Sequence, residues 1–224
     1  MHERFFAIEG IDGVGKGTQA HLLADRLRQE GFPQKLISFP RYETEWGKLI
    51  KEYLHGRFGN PVTVNPHIAS TFYAGDRFVA TPQIIKWMER EERIVVADRY
   101  SPSNFAYQGA KIESEEERCN FFNWLWNLEH VRLRAPVPFC IFLDVPLKVS
   151  LEWKGMQRID DGQDLDGHEA NADYQAKVKD VYRWLARYLF RYSVTINCCE
   201  NKKVLAPEAI HDKIWEVVYS KLSS

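Results

Sequence analysis

FAIEGIDGVGKGTQAHLLADRL, residues 6 to 27, decides the fold. The apolar run Phe5 to Glu9 stops at Gly10. From Thr18 to Glu30, Ala20, Leu22, Leu23 and Leu27 recur at helical spacing, and Gly31 ends the pattern. Between strand and helix, Gly10, Gly15 and Lys16 satisfy G-x-x-x-x-G-K, in the setting that confirms a phosphate loop. Glycines let the backbone close around a phosphate and turn several N–H groups on it. The helix N-terminus adds a favourable dipole. Lys16 brings a mobile positive charge to β and γ phosphates. The residues expected to hold a nucleotide's phosphates are Gly10, Ile11, Asp12, Gly13, Val14, Gly15, Lys16, Gly17 and Thr18. Gly17 occupies the place where a Ser or Thr usually helps to hold magnesium. Thr18 follows at once and offers its hydroxyl to phosphate, and only weakly to a metal.

Outward from this loop, four more apolar runs read as strands: Lys35 to Phe39, Ile94 to Asp98, Phe139 to Asp144 and Ser193 to Cys198. Their continuous apolar character predicts cover on both faces. Helical stretches lie between them, at 46–54, 66–90, 114–131, 147–158, 172–189 and 207–222. Pro82 is expected to break the second of these in two. Alternating strands and helices predict an α/β domain with a parallel sheet wrapped by helices. The polar segment IDDGQDLDGHEAN, residues 159 to 171, reads as an excursion between helices. Its aspartates 160, 161, 164 and 166 read as a solvated surface rather than a metal cluster.

The 224 residues suffice for one large domain, with no evident linker. Thirty basic and 31 acidic residues leave a net charge of −1, which argues against a general nucleic-acid binder. Cys119, Cys140, Cys198 and Cys199 form no CxxC pair and read as free thiols of a reducing compartment, hence the cytoplasm. The first residues, with Glu9 interrupting a short apolar run, read as neither a signal peptide nor a membrane span.

VVADRYSPSNFAYQG, residues 95 to 109, places Asp98 and Arg99 where an apolar strand ends. Sites in open parallel sheets form at such ends. Asp98 is suited to orient magnesium through water, and Arg99 to hold a phosphate. With GIDGVGKGTQ, this stretch resembles the thymidylate kinases, which move a phosphoryl group from ATP to dTMP. FPRYETEWGKLI (39–50), STFYAGDRF (70–78) and FLDVPLKVSLE (142–152) extend the resemblance over nearly the whole chain.

The resemblance implies a P-loop NTPase fold, strand order 2-3-1-4-5, a lid about 154–171, and one domain over 1–224. It implies ATP as donor, magnesium as cofactor, and a homodimer. It assigns Asp12 to the acceptor's sugar and phosphate surroundings, and Arg41 and Arg99 to the acceptor phosphate. Tyr73 would stack on the thymine and Arg77 would read its O4. Asn104 would meet the base edge, where an amide can both donate and accept. Tyr107 would crowd a ribose 2′-hydroxyl, and Gln108 would face the same pocket. Tyr73 and Arg77 stand one helical turn apart, on one face. Ordinary alternatives stay open: core packing for Tyr73 and Tyr107, an ion pair with Asp76 for Arg77, a helix cap for Asn104.

The lid departs from the family pattern. LDGHE, residues 165 to 169, has Gly167 where LDRFE has arginine, and Gly13 occupies another arginine position of some relatives. Lys154, Arg158 and His168 remain, and Arg158 is the expected transition-state cation because a guanidinium can bridge two phosphoryl oxygens. Two alternatives stay open: a kinase for dUMP, a modified pyrimidine or several deoxynucleotides, and a nucleotide-binding protein without turnover. The aromatic stretches 120–131 and 182–192 are either core-facing helices or a subunit interface.

Overall fold

Every apolar run becomes a strand in the computed structural model, which describes residues 4–90, 92–153, 172–200 and 203–223. The strands are β1 (Phe5–Glu9), β2 (Gln34–Ser38), β3 (Ile94–Asp98), β4 (Phe139–Asp144) and β5 (Ser193–Asn197). They pair only in parallel, in the expected order β2-β3-β1-β4-β5. Ile8 lies opposite Asp98 on one side and Ile141 on the other. The carboxyl ends of β1, β3 and β4 therefore share one edge, where the 10–18 loop leaves β1.

Successive strand residues point to opposite faces. Phe6, Ile8, Ile94 and Val96 enter the larger core, and Phe5, Ala7, Val95 and Ala97 enter a smaller one. Cover on both faces holds for β1, β3 and β4. The outer strands β2 and β5 are only half-buried, because each lacks a neighbour on one side.

The helices are α1 (Lys16–Gln29), α2 (Glu45–Leu54), α3 (Pro66–Met88), α4 (Ser101–Gly109), α5 (Glu115–Trp126), α6 (147–153), α7 (Ala172–Tyr188) and α8 (Pro207–Leu222). A short antiparallel pair, Cys199–Glu200 with Lys203–Val204, was not foreseen. Two expectations are corrected. First, α3 runs unbroken through Pro82. The missing N–H would have bonded the Phe78 carbonyl, and both residues lie on the exposed side, where water can satisfy that oxygen. Buried Ala80, Thr81 and Ile84 hold the helix on either side of the proline.

Second, the helix predicted over 114–131 changes character. After α5, residues Asn127–Arg132 form a π-helical segment, in which the Leu133 N–H donates to the Leu128 carbonyl at 2.9 Å. The wider turn accompanies complete burial of Glu129. The aromatic stretches are largely core: Phe121, Phe122, Leu125, Tyr182, Leu185 and Phe190 are buried, while Tyr188 and Tyr192 are exposed. The four thiols are free, with Cys140 and Cys198 buried. Among the described residues no helix is long and apolar enough to cross a membrane.

α3 carries Tyr73 and Arg77, so its start sets their axial position. The Asn65 side chain caps it by accepting from the His67 and Ile68 N–H groups at 2.9 and 3.4 Å. Asn65→Ala is expected to cost about 1 kcal/mol in urea denaturation. An unchanged midpoint would show that the cap is redundant.

Candidate active site

The phosphate loop takes its shape from glycine. Gly10, Gly13 and Gly15 have φ of 147°, 76° and 82°, a range that L side chains rarely adopt. Gly15 ends the loop in the left-handed region, and no side chain caps the helix that follows. The first turn of α1 contains no acidic residue, so its amides and dipole suit an anion. Lys16 is buried at 6% exposure, and its Nζ donates to the Ile11 carbonyl at 2.6 Å. Burial, reinforced by the nearby Arg99 charge, lowers its pKa to about 7, against Asp12, Asp98 and Glu9.

Gly17 has a local reason. A Cβ there would meet Asp98 Oδ2 at 3.2 Å, a tight approach. The Asp98 carboxylate thus lies against the first turn of α1, and it makes no hydrogen bond or ion pair among the described residues. Thr18 is exposed at the helix start. No cluster of three metal-ligating side chains occurs among the described residues. A carboxylate beside a phosphate loop, with Lys16 and Arg99 in electrostatic reach, fits a hard cation that is otherwise held by phosphate oxygens and water.

Arg99 follows Asp98 at φ 63°, an uncommon conformation for a side chain with a Cβ. Its N–H donates to the Ile8 carbonyl at 3.1 Å. Its guanidinium bonds Asp12 of the loop, which also accepts from Gln175 Nε2 at 3.0 Å. Burial opposes the Arg99 charge, but Asp12 and its neighbours prevail and raise the pKa. Beneath the pair sits a residue that sequence reading treated only as a break in an apolar run. Glu9, with no exposure, accepts from the Tyr100 N–H at 2.6 Å, Ser103 Oγ at 2.7 Å and Tyr182 Oη at 3.0 Å. Burial raises its pKa despite these bonds.

On the other side of Asp12 and Arg99 opens a cleft. Tyr73, Arg77, Asn104, Tyr107 and Gln108 all line it, with Asp12, Arg99, Tyr100 and Ser103. Phe39, Pro40, Tyr42, Leu54 and Asp76 complete the lining. The base-reading set predicted from sequence therefore converges. Tyr107 is buried and belongs to the lining.

The structure corrects three details. Arg77 does not pair with Asp76; it is 2% exposed, and its Nε and Nη2 donate to buried Glu129 at 2.5 and 2.6 Å. Asp76 is taken by Arg41, whose backbone N–H and Nε each donate to its carboxylate at 2.9 Å, while Nη2 donates to its carbonyl at 2.6 Å. Arg41 is thereby held just outside the lining. Asn104 has no donor left for a base, because Nδ2 bonds the Ser70 carbonyl at 3.1 Å and Glu129 at 2.8 Å.

Glu129 was missed by sequence reading. The only signal was one acid inside an aromatic-rich helix, which also suits a solvated position. Arg158, Lys154 and His168, with the rest of the lid expected at 154–171, lie outside the described residues.

A glycine-shaped anion loop and a separate polar cleft meet at Asp12 and Arg99. Fold and site together define a P-loop phosphotransferase of the nucleoside monophosphate kinase type. The comparisons narrow this class. A family model described as thymidylate kinase matches residues 8–214. The probable thymidylate kinase of Thermococcus onnurineus is 33% identical over 186 residues, 81% of this chain and 83% of that one. The thymidylate kinase of Mycobacterium tuberculosis is 32% identical over 183 residues, 80% and 84% of the two chains. A solved thymidylate kinase from Candida albicans, 24% identical, aligns with a TM-score of 0.71 over 97% of this chain and 91% of that one, supporting the fold. The chain belongs to the thymidylate kinase family.

The depressed Lys16 pKa predicts a proton-linked step. Above pH 7 the empty site holds a largely neutral amine, and a bound triphosphate favours its ammonium form. ATP binding is therefore expected to take up close to one proton at pH 8 and much less at pH 6. Calorimetry in buffers of different ionisation enthalpy reads this directly. Equal uptake at both pH values would contradict the assignment.

Proposed function

We propose that this protein transfers the γ-phosphoryl group of ATP to dTMP, giving ADP and dTDP, as a step in dTTP biosynthesis. The observation that carries the reading is the cleft itself. Tyr73, Arg77, Asn104, Tyr107 and Gln108 converge in it, and Asp12 and Arg99 join it to the phosphate loop. The loop amides and Lys16 hold the donor phosphates. Tyr73 stacks on the base, Arg77 and Asn104 read its edge, and Tyr107 disfavours a 2′-hydroxyl. Arg99, with Arg41 released from Asp76, steadies the acceptor phosphate in line with the donor. A phosphate oxygen is already a competent nucleophile, so no general base is required.

Magnesium fits at Asp98 and would neutralise charge on the donor phosphates when bound. Arg158 is assigned to the transferring group on sequence grounds alone. The working form is proposed to be a homodimer. α3 supports this, since Ile68, Phe78, Val79 and Ile85 are exposed and fall within roughly a third of its circumference at helical spacing. Free thiols support a cytoplasmic setting.

Coupled assays of ADP formation across the five common deoxynucleoside monophosphates test the reading. The highest kcat/KM is expected with dTMP. Lys16→Ala is expected to lower kcat by about 100-fold or more, the scale of losing one main electrostatic donor. Equal rates with dGMP would refute the acceptor assignment, and full activity in Lys16→Ala would refute the site.

A further inference from the structure

We propose that Glu129 is a positioning residue that makes the cleft select pyrimidines carrying an N3–H. It does so by leaving Asn104 with only an acceptor to offer. This inference rests on the cleft being the acceptor-nucleotide site.

Glu129 is wholly buried on the π-helical segment, far in sequence from both of its partners. A carboxylate accepts and never donates. Both carboxylate oxygens grip Arg77, Oε2 accepting from Nε and Oε1 from Nη2, a bidentate fork that sets both position and plane. Burial opposes the Arg77 charge, but the Glu129 carboxylate outweighs it and raises the guanidinium pKa. The other interaction is with Asn104, whose Nδ2 donates to Glu129 Oε1 at 2.8 Å and to the Ser70 carbonyl at 3.1 Å.

Both of these partners are pure acceptors. An amide turned over would set its oxygen against a carboxylate and a carbonyl, so only one orientation is compatible with the pair. Both Nδ2 hydrogens are then used. The remaining polar atom, Oδ1, is buried and has no partner among the described residues. A buried acceptor without a partner is unfavourable, and a matching ligand N–H relieves it.

The ligand chemistry follows. Thymine and uracil present an N3–H donor beside the O4 acceptor. They match an Asn104 acceptor beside an Arg77 donor. Cytosine presents an N3 acceptor and an N4 donor, reversing both. It would set N3 against Oδ1 and its amino group against the guanidinium. A site with committed polar groups rejects such a reversal more strongly than a hydrophobic pocket rejects one methyl group. The inference therefore predicts discrimination by base edge, dTMP and dUMP against dCMP.

Glu129→Gln is the direct test. It keeps the volume but replaces an acceptor-only group with an amide that can also donate to Asn104 Oδ1, so Asn104 can turn over. The ratio of kcat/KM for dTMP over dCMP is expected to fall at least about tenfold. KM for dTMP should rise more than kcat falls, with KM for ATP unchanged. A purely structural role would lower stability and slow every acceptor alike, leaving the ratio intact; that result overturns the proposal.

Should Glu129→Gln fail to fold, Asn104→Ala gives the second reading. It leaves the Arg77–Glu129 pair whole and should narrow the same ratio, and an unchanged ratio would again overturn the proposal. Calorimetric binding of dTMP, dUMP and dCMP to wild type separates this inference from the catalytic one. Tight dTMP and dUMP with weak dCMP supports it even in a chain that forms no ADP. Equal binding of all three overturns it while leaving turnover of dTMP untouched.

Discussion

One buried carboxylate at the end of β1 holds the site together. Glu9 has no contact with water, and an isolated charge there would be prohibitively unfavourable. Its donors come from the turn after β3, from α4 and from α7. The phosphate loop, the strand end bearing Asp98 and Arg99, and α7 are thus joined at one residue. The Tyr100 N–H is the donor to Oε1, and Ser103 and Tyr182 share Oε2, so the three elements are placed together. The uncommon backbone at Arg99 is supported in the same way, with the Arg99 N–H on Ile8 and the Tyr100 N–H on Glu9.

The same logic recurs across the acceptor side. Arg99 has Asp12, Arg41 has Asp76, and Arg77 has Glu129. Each guanidinium is oriented by a carboxylate before any ligand arrives. Such pairs contribute little net stability once desolvation is counted, but they hold cations in place in a low-dielectric cleft. Arg77, enclosed with Glu129, suits reading a neutral base. Arg41 and Arg99 are more accessible, which suits exchange of a carboxylate contact for a phosphate.

Much of this was legible in the sequence because its signals are local. Five apolar runs, the 10–16 loop and the 95–109 stretch each announce themselves within a short window, and strand order followed from the family resemblance. Tyr73 and Arg77 were placeable because helical spacing puts them on one face. Glu9 and Glu129 were not, because their meaning depends on partners across the fold: Glu9 bonds Tyr100 and Tyr182, and Glu129 bonds Arg77. A buried acid and a solvated acid look alike in one sequence. Pro82 misled for a related reason, since its exposed side lets water take the orphaned carbonyl and tertiary packing overrides the local rule.

In the proposed enzyme, one cleft holds a thymine nucleotide while the 10–18 loop holds the donor. A crystal structure with dTMP and a non-hydrolysable ATP analogue tests it most directly. Thymine is expected against Tyr73 and within reach of Arg77 and Asn104 Oδ1, with the donor's phosphates on the loop amides and Lys16. Thymine outside this cleft, or donor phosphates away from the loop, would contradict it.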